Sequence, residues 1–247
     1  MVVTILYFIL FYMTAPVIIN PNFYQISLAE VNAFVFKSEA GLILIDTGMP
    51  GSKDQIFRAV RNIGYEPEDI KHIIVTHAHY DHSGSLADIL KEINATVYMH
   101  PADAELVRKG IAHSFRSKRI NSLVNTITMG SPIKLPRLNI KPVTEITTVK
   151  DGEWIPDNTG LQVIYAPGHC RGQIALYSPQ NNGIIIAADI AENIEHLKLT
   201  PKYHNLHRCM ATIKRISLMD FRVALFSHGS PILHNASNIF KDAFGFD

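Results

Sequence analysis

The feature that most restricts this chain is the heptad Thr76-His77-Ala78-His79-Tyr80-Asp81-His82, which follows the apolar run Ile73–Val75 and precedes Ser83-Gly84. No packing or turn requirement calls for three imidazoles and a carboxylate in so short a stretch, and they are the donor types that suit zinc and other first-row metals. Neighbouring side chains point in different directions, so one ion cannot take all four. Alternation puts His77 and His79 on one side for a first ion, while the turn carries Asp81 and His82 to a second. Four donors alone would enclose such a site poorly, so completing residues are expected elsewhere in the chain.

Three further loops supply them. His169 closes Ala166-Pro167-Gly168-His169, Asp189 closes Ala187-Ala188-Asp189, and His228 sits in Ser227-His228-Gly229. Each follows an apolar run and stands beside small residues that let backbone approach closely. Asp46-Thr47-Gly48 follows Leu42–Ile45 in the same way. Taken singly, each has an ordinary reading as a surface histidine, a turn former or a helix cap. Beside the heptad, His169, Asp189 and His228 become candidate ligands, and Asp46 a candidate to hold a ligand ring from behind.

Runs of β-branched and aromatic residues predict strands at Tyr24–Leu28, Val31–Phe36, Leu42–Asp46, Ile73–Thr76, Thr96–His100, Glu145–Val149, Gln162–Ala166, Ile174–Tyr177, Gly183–Ala188 and Val223–Phe226. Helical spacing predicts Ser52–Ile63, with Ser52 as N-cap and Gly64 as stop, then Ser85–Ile93, a helix opened by Pro101, His207–Leu218 and Ala236–Phe240. Two groups of strands, each followed by helices, imply an α/β protein. The expected architecture is two mixed β-sheets packed face to face with helices outside, a four-layer αββα sandwich. One domain is expected over residues 21–247, after an apolar extension at 1–20 and with a lid-like insertion at about 108–142.

Hydrophobic residues make up 47% of the 247, enough for a sizeable core. A net charge of +1 gives no reason to expect nucleic acid or an anionic membrane as partner, and leaves a small-molecule substrate and a possible homodimer. Two cysteines, Cys170 and Cys209, make no disulfide framework, which points to the cytoplasm. From Met1 to Ala29 there is no charged side chain, but Thr14, Pro16, Asn20 and Pro21 interrupt the apolar run Ile5–Met13, short of the ~20 residues of a membrane span. Membrane association or export of this segment stays open. The favoured readings are an extra strand or helix on the domain and a non-native extension upstream of a start at Met13.

Through the His-x-His-x-Asp-His pattern at His77, His79, Asp81 and His82, the chain resembles the metallo-β-lactamase superfamily. His169, Asp189 and His228 are similar to that family's remaining ligands in order and setting, and Asp46 with Gly48 resembles its early Asp-Thr-Gly turn; the likeness runs from about Phe23 to Gly229. It implies the αββα fold with a dinuclear site between the sheet edges. His77, His79 and His169 would hold one ion, Asp81, His82 and His228 the other, and Asp189 would bridge them. Zinc is the expected metal, with iron or manganese as alternatives. Where the family often has Thr-Pro-Gly after its third histidine, this chain has Cys170-Arg171-Gly172, so Cys170 is either a small buried residue or a reactive thiol near the metals.

Two ions a few Å apart lower the pKa of a bridging water, polarise the oxygen of the bond to be cut and stabilise the leaving group. Hydrolysis by a metal-bridging hydroxide is therefore expected, with Asp81 as the catalytic carboxylate that orients the nucleophile and carries its proton. The likeness is to the glyoxalase II-like and lactonase-like branch, so an ester, thioester or lactone is the expected bond. Only 18 residues follow Gly229, too few for a helical glutathione-binding domain, and Ile190-Ala191-Glu192 stand where lactonase relatives often place a tyrosine; Tyr80 and Tyr203 are the other phenols considered. Two other enzymes fit the same ligand set: a phosphodiesterase or nuclease, suggested by the basic segment Arg108–Arg119, and a mononuclear-iron persulfide dioxygenase. A metal-stabilised scaffold without catalysis is less economical, because structural zinc sites are closed by four protein ligands.

Overall fold

The computed structural model describes residues 15–113 and 139–246. The apolar run Ile5–Met13 and most of the expected insertion at about 108–142 lie outside the described residues.

Seven strands form the first sheet, in the order β1 (Val17–Asn20), β2 (Phe23–Leu28), β3 (Val31–Ser38), β4 (Gly41–Ile45), β5 (Ile70–Ile74), β6 (Thr96–Met99) and β7 (Thr147–Thr148). The first four are joined antiparallel, and β4 to β7 run parallel. A second sheet has the order β13 (Val223–Phe226), β10 (Ile184–Ala188), β9 (Ile174–Ser178) and β8 (Gln162–Tyr165), and a hairpin of β11 (Ala191–Asn193) and β12 (Leu197–Leu199) stands apart from both. The helices are α1 (Lys53–Asn62), α2 (Tyr80–Ser83), α3 (Leu86–Ile89), α4 (Pro101–Arg108), α5 (Leu206–Ser217) and α6 (Ala236–Phe244).

The period-2 alternation of each strand sorts the core into three layers. Phe34, Phe36, Ile43, Ile45 and Ile74 from the first sheet meet Val163, Ile174, Leu176, Ile184, Ile186 and Leu225 from the second. The intervening residues Ala33, Val35, Leu42 and Leu44 turn outward, onto Ile56, Phe57 and Val60 of α1, Leu86 and Ile89 of α3, and Val107 of α4. On the far side, Ile164, Ala175, Ile185 and Phe226 pack against Ile213 and Ile216 of α5 and Phe240 of α6. Both faces of each sheet are thus covered, which is the αββα sandwich expected. A fully buried Phe or Ile in such a core is worth about 1.5–3 kcal/mol.

Several boundaries differ from expectation. Val17–Asn20 is an edge strand paired with β2, so the sheet begins before Phe23. The strand expected at Ile73–Thr76 runs over Ile70–Ile74, because Thr76 leaves the ladder to bond Asp46. The helix expected at Ser85–Ile93 shortens to Leu86–Ile89. Ser52 stands at the N-cap of α1 but its side chain caps nothing; its backbone N–H instead donates to Ser85 Oγ at 2.9 Å. Gly64, at φ +86°, follows the end of α1 as a stop should.

Candidate metal centre

β4 and β5 are parallel, β10 and β13 are parallel, and β8 and β10 both run antiparallel to β9, so their C-terminal loops leave along shared edges. Where the two sheets meet, the Asn32 N–H donates to Ser227 O at 2.7 Å, its side-chain amide donates to Phe226 O and Gly229 O, and the Ile174 N–H donates to Thr76 O at 2.9 Å. These bonds tie the start of β3 to the loop holding His228, and the loop holding the heptad to the start of β9, which follows the loop holding His169. His79, in extended backbone, occupies the N-cap position of the single turn α2, which carries Asp81 and His82 round to the other side.

All seven candidate ligands come together in two groups. The donor atoms of His77, His79, His169 and Asp189 lie within 4.8 Å of one another, as do those of Asp81, His82 and His228. In the first group His79 Nδ1 is 2.6 Å from His77 Nε2 and 2.8 Å from His169 Nε2. One ring nitrogen has one proton or one lone pair, so it cannot serve both neighbours as hydrogen-bond partner; a shared cation resolves the convergence. Asp189 lies between the groups. Its Oδ2 is 3.2 Å from His169 Nε2 and 3.5 Å from His228 Nε2, and its Oδ1 is 3.5 Å from His82 Nε2. Asp81 Oδ2 is 3.6 Å from His228 Nε2.

Outer ring nitrogens are held from behind. His82 Nδ1 meets Asp46 Oδ2 at 2.8 Å, His77 Nδ1 meets Thr76 Oγ1 at 3.0 Å, His169 Nδ1 meets Lys202 O at 2.6 Å and His228 Nδ1 meets Glu30 O at 2.7 Å. Such partners fix tautomer and ring orientation and turn the inner nitrogen toward the centre. Asp46 also accepts from the Thr76 N–H and hydroxyl. With its amide oriented to place Oε1 toward them, Gln173 accepts from the Asp189 and Ile190 N–H groups.

The electrostatics ask for positive charge. Burial, and then the neighbouring imidazoles, hold His77 and His79 well below the usual range, and burial above all brings His169 to about 4, so these three are neutral donors at pH 7. For His82, burial pushes down, but Asp189, Asp46 and Asp81 outweigh it and hold the ring well above its ordinary value. Burial would raise Asp189, yet His82 and His169 keep it ionised, well below the carboxylate range. His82 Nε2 and Asp189 Oδ1 are buried without a hydrogen-bond partner. A cation between them would satisfy both, so the residues present fit the metals that the donor set implies.

One side of the centre opens into a cleft of about 740 Å³, in the range of small-molecule sites. Asp81, His228 and Tyr80 line it, together with Met49, Ile194, Pro201, Lys202, Glu192 and His113. Of the two phenols considered, Tyr80 is on this wall and Tyr203 is not. The hairpin β11–β12, which brings Glu192 and Ile194 to the cleft, is absent from the sequence expectations because its strands are only three residues long. His113, Gln173 and Asp103 were also missed; each is a lone polar residue with no motif around it. Cys170 is the small buried residue of the two readings. Burial first and Asp103 next push its thiol well above the ordinary range. Within the basic segment, Arg108 donates to Thr144 O and Ile146 O and Lys109 pairs with Glu105; the rest lies outside the described residues. No helix among the described residues is long and apolar enough to cross a membrane.

Residues 27–228 match the family model of the metallo-beta-lactamase superfamily. A probable metallo-hydrolase, YflN of Bacillus subtilis (strain 168), is 27% identical over 175 residues, covering 70% of this chain and 65% of the relative. An N-acyl homoserine lactonase of Bacillus cereus is 27% identical over 190 residues, covering 66% of this chain and 65% of the relative. The chain thus spans 65% of the length of these relatives. Among solved structures, the subclass B3 metallo-beta-lactamase BJP-1 of Bradyrhizobium japonicum shares the fold at a TM-score of 0.69 and 22% identity, over 94% of this chain and 92% of that one.

Proposed function

The chain belongs to the metallo-β-lactamase superfamily, and from that premise we propose that it is a metal-dependent hydrolase of small molecules. In this reading His77, His79 and His169 hold one divalent cation, Asp81, His82 and His228 hold the other, and Asp189 is shared. The observation that carries it is the pair of trios closed around one buried carboxylate, with His82 Nε2 and Asp189 Oδ1 facing inward without hydrogen-bond partners. Zinc suits the imidazole and carboxylate donors, and iron or manganese are accommodated by the same set. Bound there, two such cations supply an ionised water at neutral pH and polarise the bond to be cut.

The chain's own residues do the rest. Asp46 holds the His82 ring through Nδ1, and Thr76, Lys202 O and Glu30 O hold the other rings. In this reading Asp81, with a quarter of its side chain exposed on the cleft wall, takes a proton from the attacking water on a carboxylate oxygen and returns it to the leaving group. The cleft sets apolar Met49, Ile194 and Pro201 against polar Lys202 and Glu192, which suits a substrate with an uncharged arm and one polar end. Support for an ester, thioester or lactone bond comes from relatives that include named lactonases.

The test is a hydrolysis screen of the purified protein, loaded in turn with zinc, manganese or iron, on esters, thioesters, lactones, β-lactams and phosphodiesters, with metal content measured alongside. Turnover of an acyl substrate, with about two metal ions per chain and loss of turnover in Asp189→Ala, is the expected result. Full metal loading without hydrolysis of any class would remove the proposal, and one iron per chain with oxygen uptake on a persulfide would replace it.

A further inference from the structure

Behind the first trio lies a polar cluster that the proposed chemistry does not use. The donor atoms of Asp103, His113 and Cys170 lie within 4.8 Å of one another. Asp103 sits in the first turn of α4 and its side chain is fully buried. A carboxylate in that position is costly unless each oxygen is hydrogen-bonded. Three separate segments supply the donors: the Ala78 N–H at 2.8 Å and the Cys170 thiol at 3.3 Å on Oδ2, and His113 Nε2 at 3.3 Å on Oδ1.

Those donors are placed with respect to the metal centre. Ala78 lies between His77 and His79, and Cys170 follows His169 directly. His113 donates its backbone N–H to Ala78 O at 2.7 Å and sets its ring against His79 at 5.5 Å. The loop after His169 also wraps the carboxylate: a Cβ at Gly172 would stand 2.3 Å from Asp103 Oδ1. One buried side chain therefore clasps both loops that bring in the three histidines of the first group: it holds the heptad at Ala78, between His77 and His79, and the other loop at Cys170, beside His169.

Resting on the metal reading above, we infer that Asp103 is a positioning residue for the first cation: it fixes the spacing of His77, His79 and His169 by binding the Ala78 backbone N–H and the Cys170 thiol to one point. The competing use of the same cluster, a third cation, asks for oxygens that already carry hydrogen bonds and for a thiol that is already a donor to Asp103.

Affinity measured one ion at a time distinguishes these. Zinc competition against a chromophoric chelator is performed in a His228→Ala background, which impairs the second group, and in a His79→Ala background, which impairs the first. Adding Asp103→Asn should weaken the remaining ion about tenfold in the first background, the scale of other outer-shell changes, and leave it unchanged in the second. The cobalt form of Asp103→Asn should show an altered absorption band, which a mere loss of fold stability would not produce. Equal affinities in both backgrounds overturn the inference, as does equal weakening in both. A third equivalent of cobalt with a thiolate absorption that vanishes in Cys170→Ser also overturns it. Should Asp103→Asn not fold, Cys170→Ala cuts the tie to the His169 loop alone, with a smaller shift in the same background expected and no shift overturning. Protein that binds no divalent ion at all would sink the metal reading itself, a result separable from wild-type binding of two ions that Asp103→Asn leaves untouched.

Discussion

The carboxylate of Asp46 accepts from the Thr76 N–H, the Thr76 hydroxyl and His82 Nδ1, and it does so from a left-handed backbone at φ +62°. Alanine there would leave the Thr76 N–H buried and unpaired, at a cost of about 1–3 kcal/mol, besides the backbone strain. Asparagine tolerates that backbone and keeps one acceptor, but its neutral amide cannot hold His82 as a carboxylate does. Asp46→Asn is therefore expected to melt close to the parent yet bind metal about 10–100-fold more weakly, read by chelator competition; Asp46→Ala should lose both. Wild-type metal affinity in Asp46→Asn would show that the His82 contact does not matter. Cys209 offers a residue-scale test of pH. Burial pushes its thiol up to about 11, above the ordinary value of 9.0, so folding keeps it neutral where an unfolded chain ionises it. That stability is present below the unfolded value and is lost as pH rises toward the folded one, so melting temperature should fall between pH 9 and about 11, and less so in Cys209→Ala.

Among the elements, the strands were legible because their alternation is uninterrupted: Phe34 and Phe36 face the other sheet while Ala33 and Val35 face the helices, and the same two-residue rhythm runs through β4, β9, β10 and β13. The heptad was legible because its residue types have no packing use. What stayed hidden depends on partners distant in sequence. The β11–β12 hairpin holds to the site through the Asn193 N–H on His228 O at 3.0 Å and the Ser230 N–H on Asn193 O at 2.9 Å, whereas Val17–Asn20, paired with the adjacent β2, is the extra strand allowed for on the N-terminal extension. Asp103 carries no signal until α4 folds over the loops it binds. That hairpin contact makes a prediction at Gly229, where φ is +101° and a Cβ would stand 2.1 Å from Asn193 O. Because backbone blocks the space, Gly229→Ala should cost about 1–3 kcal/mol and displace His228. Gly64→Ala is the control: φ is +86° but nothing lies within 4 Å, so only the strain of a left-handed alanine, about 1 kcal/mol, is expected. Thermal melts of the two variants, with metal content, check the difference, and equal losses would show that the hairpin yields.

In the whole molecule, the hydrophobic layers and the metal centre are separable. The three core layers hold the sheets and helices without using any of the seven candidate ligands, and Asn32 and Ile174 already bond the sheets at the site edge. The centre, by contrast, draws its donors from loops of both sheets and crowds buried Asp189 among four imidazoles. Bound cations would relieve that crowding only in the folded chain, where those loops are assembled. They should therefore stabilise the native state by mass action, by about 4 kcal/mol at a free metal concentration a thousand times the dissociation constant. Chelation is thus expected to abolish hydrolysis and lower the melting temperature while leaving the far-ultraviolet circular dichroism intact, with activity restored by added zinc. Loss of secondary structure on chelation would mean that the cations hold the sandwich together, and an unchanged melting temperature would mean that the seven side chains bind no metal under those conditions.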